Sequence, residues 1–202
     1  MKDKQHYKTQ KTTLELTDKE HYKVYIGLNW GMKKREGLMK IFGQASVDLD
    51  ASLTMFSQKQ EIDTVYFKKL KSDDGSVTHS GDDTDGNING IDEQDNEVIQ
   101  IELNKVNDKV DSIWIYLTSY KKQNFADIPF TKIRVYNYTK AEETNELASF
   151  DLSTKPEFND CISMLMGKLE RNEKGWTFKS LGQAIGATDI PETIAYIQQE
   201  LL

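Results

Sequence analysis

Two hundred and two residues suit one large domain or two small ones, and a chain of this length hides roughly 70 % of its unfolded surface on folding. Its 26 basic and 33 acidic residues leave a formal charge of −7 and an isoelectric point near 5.1, while 37 % hydrophobic and 10 % aromatic residues supply a core. This composition argues against disorder, against a membrane-spanning chain and against a general nucleic-acid binder, which would be basic. The first twelve residues are polar and basic without an apolar stretch, so they read as a flexible N-terminus and not as a secretory signal. Val24, Ile26, Leu28 and Trp30 alternate with polar residues and share one strand face; Val47, Leu49, Ala51, Leu53 and Met55 share another. Further strands are predicted over 64–67, 98–103, 112–118, 132–138 and 147–152, where Tyr, Val, Ile, Phe and Thr dominate. Over 156–170, Phe158, Cys161, Ile162, Leu165, Met166 and Leu169 fall at helical spacing, which predicts an amphipathic helix with Pro156 in its first turn. A last strand is predicted over 176–181, and a closing helix over 191–202 with Asp189 as its cap. The expected fold is mainly β, an antiparallel sandwich with short C-terminal helices packed at its edge. No repeat or linker divides it, so residues 1–202 read as a single domain.

The acidity is local. Nine acids lie between residues 73 and 97 with no lysine or arginine among them; without that stretch the balance is 26 minus 24, or +2. Inside it, Asp85-Gly86-Asn87-Ile88-Asn89-Gly90 matches the opening of a calcium loop, D-x-[DN]-x-[DN]-G. Calcium takes 6–8 oxygens, alternate residues of a tight loop can aim theirs at one centre, and a glycine in sixth place permits the turn. The twelfth place is Asn96 and the glutamate comes thirteenth, as Glu97, so a strict EF-hand fails while a calcium loop on β structure survives. Asp48 and Asp50 sit on the polar face of a strand, roughly 7 Å apart and pointing the same way. Two readings stand side by side here: a cation shared by these carboxylates and the loop, or solvated strand residues beside an acidic flap. Magnesium and manganese share the donor type, and a cage rich in protein oxygens favours the larger calcium.

Several motifs resemble one family. Tyr25-Ile26-Gly27-Leu28-Asn29-Trp30 resembles its G-L-G-W strand, and Val47-Asp48-Leu49-Asp50-Ala51-Ser52 its D-L-D-A-S strand. The run from Gly75 to Asp83 is similar to its G-S-V-x-H-[ST]-G-D-[DN] turn, Gln123-Asn124-Phe125 to its Q-N-F, and Ser149-Phe150-Asp151-Leu152 to its R-Y-D-L. In order and spacing, from about Leu14 to Gly186, these look like the TerD family of tellurium-resistance and general stress proteins. The resemblance implies a β-sandwich holding two calcium ions. It also implies an intracellular, non-enzymatic protein that serves resistance to tellurite, other chemical stresses and phage. Without an h-region or a spanning apolar run, and with one cysteine, the chain reads as cytoplasmic, with neither nucleic-acid binding nor direct membrane insertion. The resemblance adds a place at the inner face of the membrane through a membrane-associated partner among other stress-resistance proteins. The family's acidic ligands map onto Asp48, Asp50, Asp82, Asp83, Asp92, Asp95 and Glu97, while Asn87 and Asn89 stand where acids are common. Gly31 replaces the aspartate after the G-L-G-W strand, and Gly90-Ile91-Asp92 replaces a G-D-D run. The resemblance therefore implies two sites, one weakened by lost charge.

Enzyme signals are thin. There is no G-x-G-x-x-G, P-loop, G-x-S-x-G or H-E-x-x-H pattern. His79 can be drawn as a general base with Asp82, but its expected place is at the root of the loop. Cys161, the single cysteine, reads as a small buried hydrophobe. The expectation is a non-enzymatic calcium-binding stress protein; the other reading is a β-sandwich adaptor or small-ligand module in which ions only stiffen the acidic loop.

Overall fold

The computed structural model describes residues 13–16, 23–34, 44–87, 94–138, 143–152 and 156–202. The N-terminal segment 1–12 lies outside them. In chain order the strands are β1 (Thr13–Leu16), β2 (Lys23–Trp30), β3 (Lys33–Lys34), β4 (Gln44–Ala45), β5 (Leu49–Ser57), β6 (Gln60–Val65) and β7 (Val77–His79). There follow β8 (Glu97–Glu102), β9 (Ser112–Ser119), β10 (Thr131–Tyr138), β11 (Thr144–Asp151), β12 (Ser163–Asn172) and β13 (Gly175–Ile185), before a helix α1 (Ile190–Tyr196) that ends in a π turn, Ile197–Leu201.

Period-two alternation makes two antiparallel sheets. One runs β1-β13-β12-β9-β5-β6, the other β11-β10-β2-β8-β7, and β3 pairs β4 in a small ribbon. Their facing sides meet in one core. Val24, Ile26, Leu28 and Trp30 come from one sheet and Leu49, Ala51, Leu53 and Met55 from the other, all buried as their alternation predicts. The sandwich expected from the sequence is thus the fold, with one α-helix among the described residues, at its C-terminal end.

A third layer explains what alternation alone did not foresee. The outer side of the six-stranded sheet carries Phe56, Trp114, Tyr116 and Leu165, and Ile194 and Ile197 of the C-terminal helix and turn pack on them. The roof lies toward the β6 edge, where Gln198 donates to the Lys59 carbonyl in the β5–β6 turn. Asp189 caps α1 as expected, its carboxylate accepting from the Glu192 N–H at 2.9 Å. The far side of β5 is therefore not a solvated polar face: Ser52, Thr54 and Phe56 are fully buried, and Asp48 and Asp50 nearly so.

The helix predicted over 156–170 is not there. Pro156–Phe158 forms one 3-10 turn, and Ser163–Asn172 is strand β12, held between β9 and β13. With both faces covered, Met164, Leu165 and Met166 read as a continuous apolar run, which periodicity cannot tell from a buried helix. A bulge between Leu165 and Gly167 then inserts a residue, so the core-facing positions run Met164, Met166, Leu169 and imitate helical spacing. Leu165 points the other way, into the cluster under α1, and Leu165→Ala is expected to cost about 2–5 kcal/mol in denaturant unfolding. A loss below about 0.5 kcal/mol would remove it from that core.

Candidate metal centre

The site stands at one end of the sandwich, where β5 and β8 begin and the loop after β7 crosses between the sheets. The alternation that sends Leu49 and Ala51 into the core sends Asp48 and Asp50 to the other side. The loop brings Asp82 to them, and oxygens of the three carboxylates lie within 4.8 Å of one another. Lys121 reaches Asp48 at 3.4 Å and also donates to Ser46 Oγ and the Thr84 carbonyl, tying the loop to the approach of β5. Gln123, of the Q-N-F motif, donates to the Ser46 carbonyl at 2.8 Å, and Phe125 anchors that segment in the core.

Glu97 is entirely buried beneath this group. Its carboxylate accepts from the N–H of Asp83 (3.1 Å) and of Ala51 (3.3 Å), and so joins loop to strand. His79 faces it, with Nε2 3.6 Å from Glu97 Oε2. The His79 Nδ1 accepts from the Gly81 N–H, which puts the ring at the root of the loop. Burial pushes the Glu97 carboxyl up to about 9, with Asp50 and Asp82 adding like-charge repulsion. Burial, then Asp48 and Asp82, pushes Asp50 up to about 7. Asp48 is raised by burial too, against the opposing pull of Lys121. His79 is lowered by burial, so the pair is held neutral and closed to solvent. Such frustration among carboxylates is what a divalent cation relieves. The all-oxygen donor set suits a hard ion such as calcium or magnesium and not a thiolate- or imidazole-seeking one.

The remaining predicted residues hold the loop in shape. Asp83 turns inward to accept the N–H groups of Asp85 and Gly86, both at 3.0 Å, and the Asn96 amide. Burial alone would raise its carboxyl; these bonds outweigh it and hold it below its ordinary range. Asn87 donates to Asn29 and accepts from Asn96, each at 2.9 Å, and its backbone bonds Trp30 and Met32 of the neighbouring sheet. Gly86 adopts a left-handed φ of 74°, and a Cβ there would lie 2.6 Å from the Trp30 indole. Asp95 is drawn away from the triad to Arg134, at 2.9 Å, over the bare backbone of Gly27. Asn89 and Asp92, with the sixth-place Gly90, lie outside the described residues.

Sequence reasoning passed over Asn29, Asn96, Lys121 and Arg134. Asn96 stands in the twelfth place where a glutamate ligand is required, and its side chain instead bridges Asp83, Asn87 and the Trp30 N–H. Lys121 and Arg134 meet their acids across 73 and 39 positions of chain, separations for which spacing rules carry no signal.

Comparison with known proteins gives the family and the fold. The TerD domain profile matches residues 5–192. The tellurium resistance protein TerZ of Serratia marcescens is 33 % identical over 180 residues, 88 % of each chain. General stress protein 16U of Bacillus subtilis is 30 % identical over 184 residues, 87 % of each. In fold, a crystal structure of a telluride resistance protein (TerD) homologue from Streptomyces coelicolor superposes with a TM-score of 0.65 at 17 % identity, over 89 % of this chain and 96 % of that one. A profile spanning nearly the whole chain, with relatives matched over most of both lengths, leaves one assignment: the chain belongs to the TerD family of tellurium-resistance and general stress proteins.

Proposed function

We propose that this protein is a calcium-binding, non-enzymatic stress-response protein serving resistance to tellurite and other chemical damage. The observation that carries the reading is the meeting of Asp48, Asp50 and Asp82, two of them buried, with Lys121 beside Asp48. Three like charges in such a place repel, and a divalent cation turns that repulsion into binding energy. Relatives named for tellurium resistance, general stress and resistance to chemical-damaging agents support the physiological side. The non-enzymatic side is supported by His79, whose ring is packed in its neutral form against Glu97 and not presented to a substrate. No helix among the described residues is long and apolar enough to cross a membrane. In this reading the protein acts in the cytoplasm and meets the membrane through another stress-resistance protein.

One strong calcium site on the triad is the core of the proposal. A second ion would draw on Asp83, Asn87 and Asp95, which are already engaged by loop amides and by Arg134, and so binds more weakly. Calorimetric titration with calcium tests this. Asp50→Asn is expected to weaken the tighter site at least tenfold, whereas Asp95→Asn leaves it within about twofold. No calcium heat, or equal losses in both variants, would overturn the assignment.

A further inference from the structure

A cavity of about 630 Å³ opens on the outer side of the six-stranded sheet, between α1 and strands β5, β6 and β9. Its floor holds Asp50 and Thr118, which are register partners on β5 and β9. Asp50 belongs to both the triad and this cavity, so the two are one continuous site. One wall is aromatic: Tyr66 meets Phe67 edge-on at 5.4 Å, and Phe67 meets Tyr120 at 5.3 Å. The facing wall is the apolar side of the helix, with Pro191 and Ile194. Tyr120 is 56 % exposed, a large ring kept at the surface. The volume falls in the range of small-molecule sites.

The charges around the cavity choose the ligand. Glu61 accepts the Thr64 hydroxyl at 2.7 Å and Asp189 caps α1, so both have partners. Asp50 is nine-tenths buried, faces the cavity, and takes no hydrogen bond from any described residue. Its repulsion by Asp48 and Asp82 makes the metal-free floor hostile to anions. A divalent cation on the triad removes this repulsion, because two positive charges with Lys121 balance three carboxylates. Calcium takes 6–8 oxygens, and three residues giving one each leave positions to fill. Asp50 is the member of the triad that also lines the cavity. Lys122 stands among the lining residues, its backbone in the left-handed region at φ 56°.

We propose that this cavity binds a small oxyanion carried on a flat apolar body, an aryl phosphate or aryl carboxylate, whose charged oxygens complete the coordination of the cation on Asp48, Asp50 and Asp82. The ring of such a ligand lies between the Tyr66–Phe67–Tyr120 wall and α1, and its charge is shared by the ion and Lys122. The proposal rests on the calcium reading above and adds a ligand class to it. An organic amine, the other chemistry an acidic aromatic pocket suits, would compete with the metal for Asp50 instead of requiring it.

The test is calorimetry on the full chain with 4-methylumbelliferyl phosphate as probe, in excess calcium and in chelator, beside calcium alone. Calcium alone is expected to bind. The probe is expected to bind in calcium and at least tenfold more weakly in chelator, with inorganic phosphate at least tenfold weaker than the probe. Tyr120→Ala should weaken the probe at least fivefold while leaving the heat of calcium unchanged, since the bond from Tyr120 to the Asp48 carbonyl is made by its backbone N–H, which the substitution keeps. Calcium binding without probe binding, or probe binding equal in calcium and chelator, overturns the cavity proposal and leaves the calcium reading intact. No binding of calcium overturns both.

Discussion

In chelator, the protein is expected to lose roughly 2–3 kcal/mol of stability between pH 6.5 and pH 8.5, a fall of roughly 5–10 °C in melting temperature. The cause is Glu97, fully buried and pushed up to about 9, joined at the lower end of the window by Asp50 at about 7. Unfolded, both groups have given up their protons well below pH 6.5. Folded, Glu97 keeps its proton until about pH 9, so the native state binds more protons and rising pH favours unfolding. His79 works in the opposite sense, since burial keeps it neutral in the folded state while the unfolded ring protonates near pH 6.5. Its effect is therefore confined to lower pH, which is why the window begins at 6.5. Glu97→Gln keeps the shape of the side chain without its charge and should flatten the slope above pH 7.5. A wild-type melting temperature independent of pH across this window would show that Glu97 is ionised in the fold.

Excess calcium is expected to produce the largest single change. Binding to the folded form alone stabilises it by about 4.1 kcal/mol at a thousandfold excess over Kd, which corresponds to roughly 8–16 °C for a chain of this size. Carboxylates must shed their protons to take the ion, so the gain should be greater at pH 8.5 than at pH 6.5. Asp48→Asn or Asp50→Asn should remove most of the shift and, in chelator, make the protein slightly more stable by relieving repulsion within the triad. Magnesium should do less, because it dehydrates reluctantly and demands a tighter octahedron. Equal melting temperatures in calcium and in chelator would refute the reading.

What the sequence made legible follows from how many faces each element buries. Strands β2 and β5 showed themselves because one side of each meets the core in strict alternation, at Val24–Trp30 and Leu49–Met55. Strand β12 did not, because both of its sides are covered and a bulge breaks its phase. Strands β1 and β7 were passed over: each has four residues or fewer and lies at a sheet edge, too short for a period to register. At the site, Asp48, Asp50 and Asp82 were legible through the motifs around them, and the structure brings them together. Their burial was not legible, since it depends on Lys121 and the loop after β7 meeting the start of β5. Nor was the ion pair of Asp95, whose partner Arg134 is set opposite it by the pairing of β10 with β2 and by a glycine that clears the space.

The three indoles are distributed so that each watches a different part of the molecule. Trp30 lies against Gly86 and donates to the Val47 carbonyl at 2.8 Å, so its emission should respond when the acidic loop closes. Trp114 belongs to the apolar cluster shared with Ile194 and Ile197 and reports instead on whether the C-terminal helix is seated. Trp176 sits beneath the Arg171 guanidinium, 4.4 Å from its ring, on the neighbouring strand β13, and is an internal standard away from both. Single-tryptophan variants would thus turn the chain into its own fluorimeter, able to tell whether loop and helix move together or in sequence when an ion arrives.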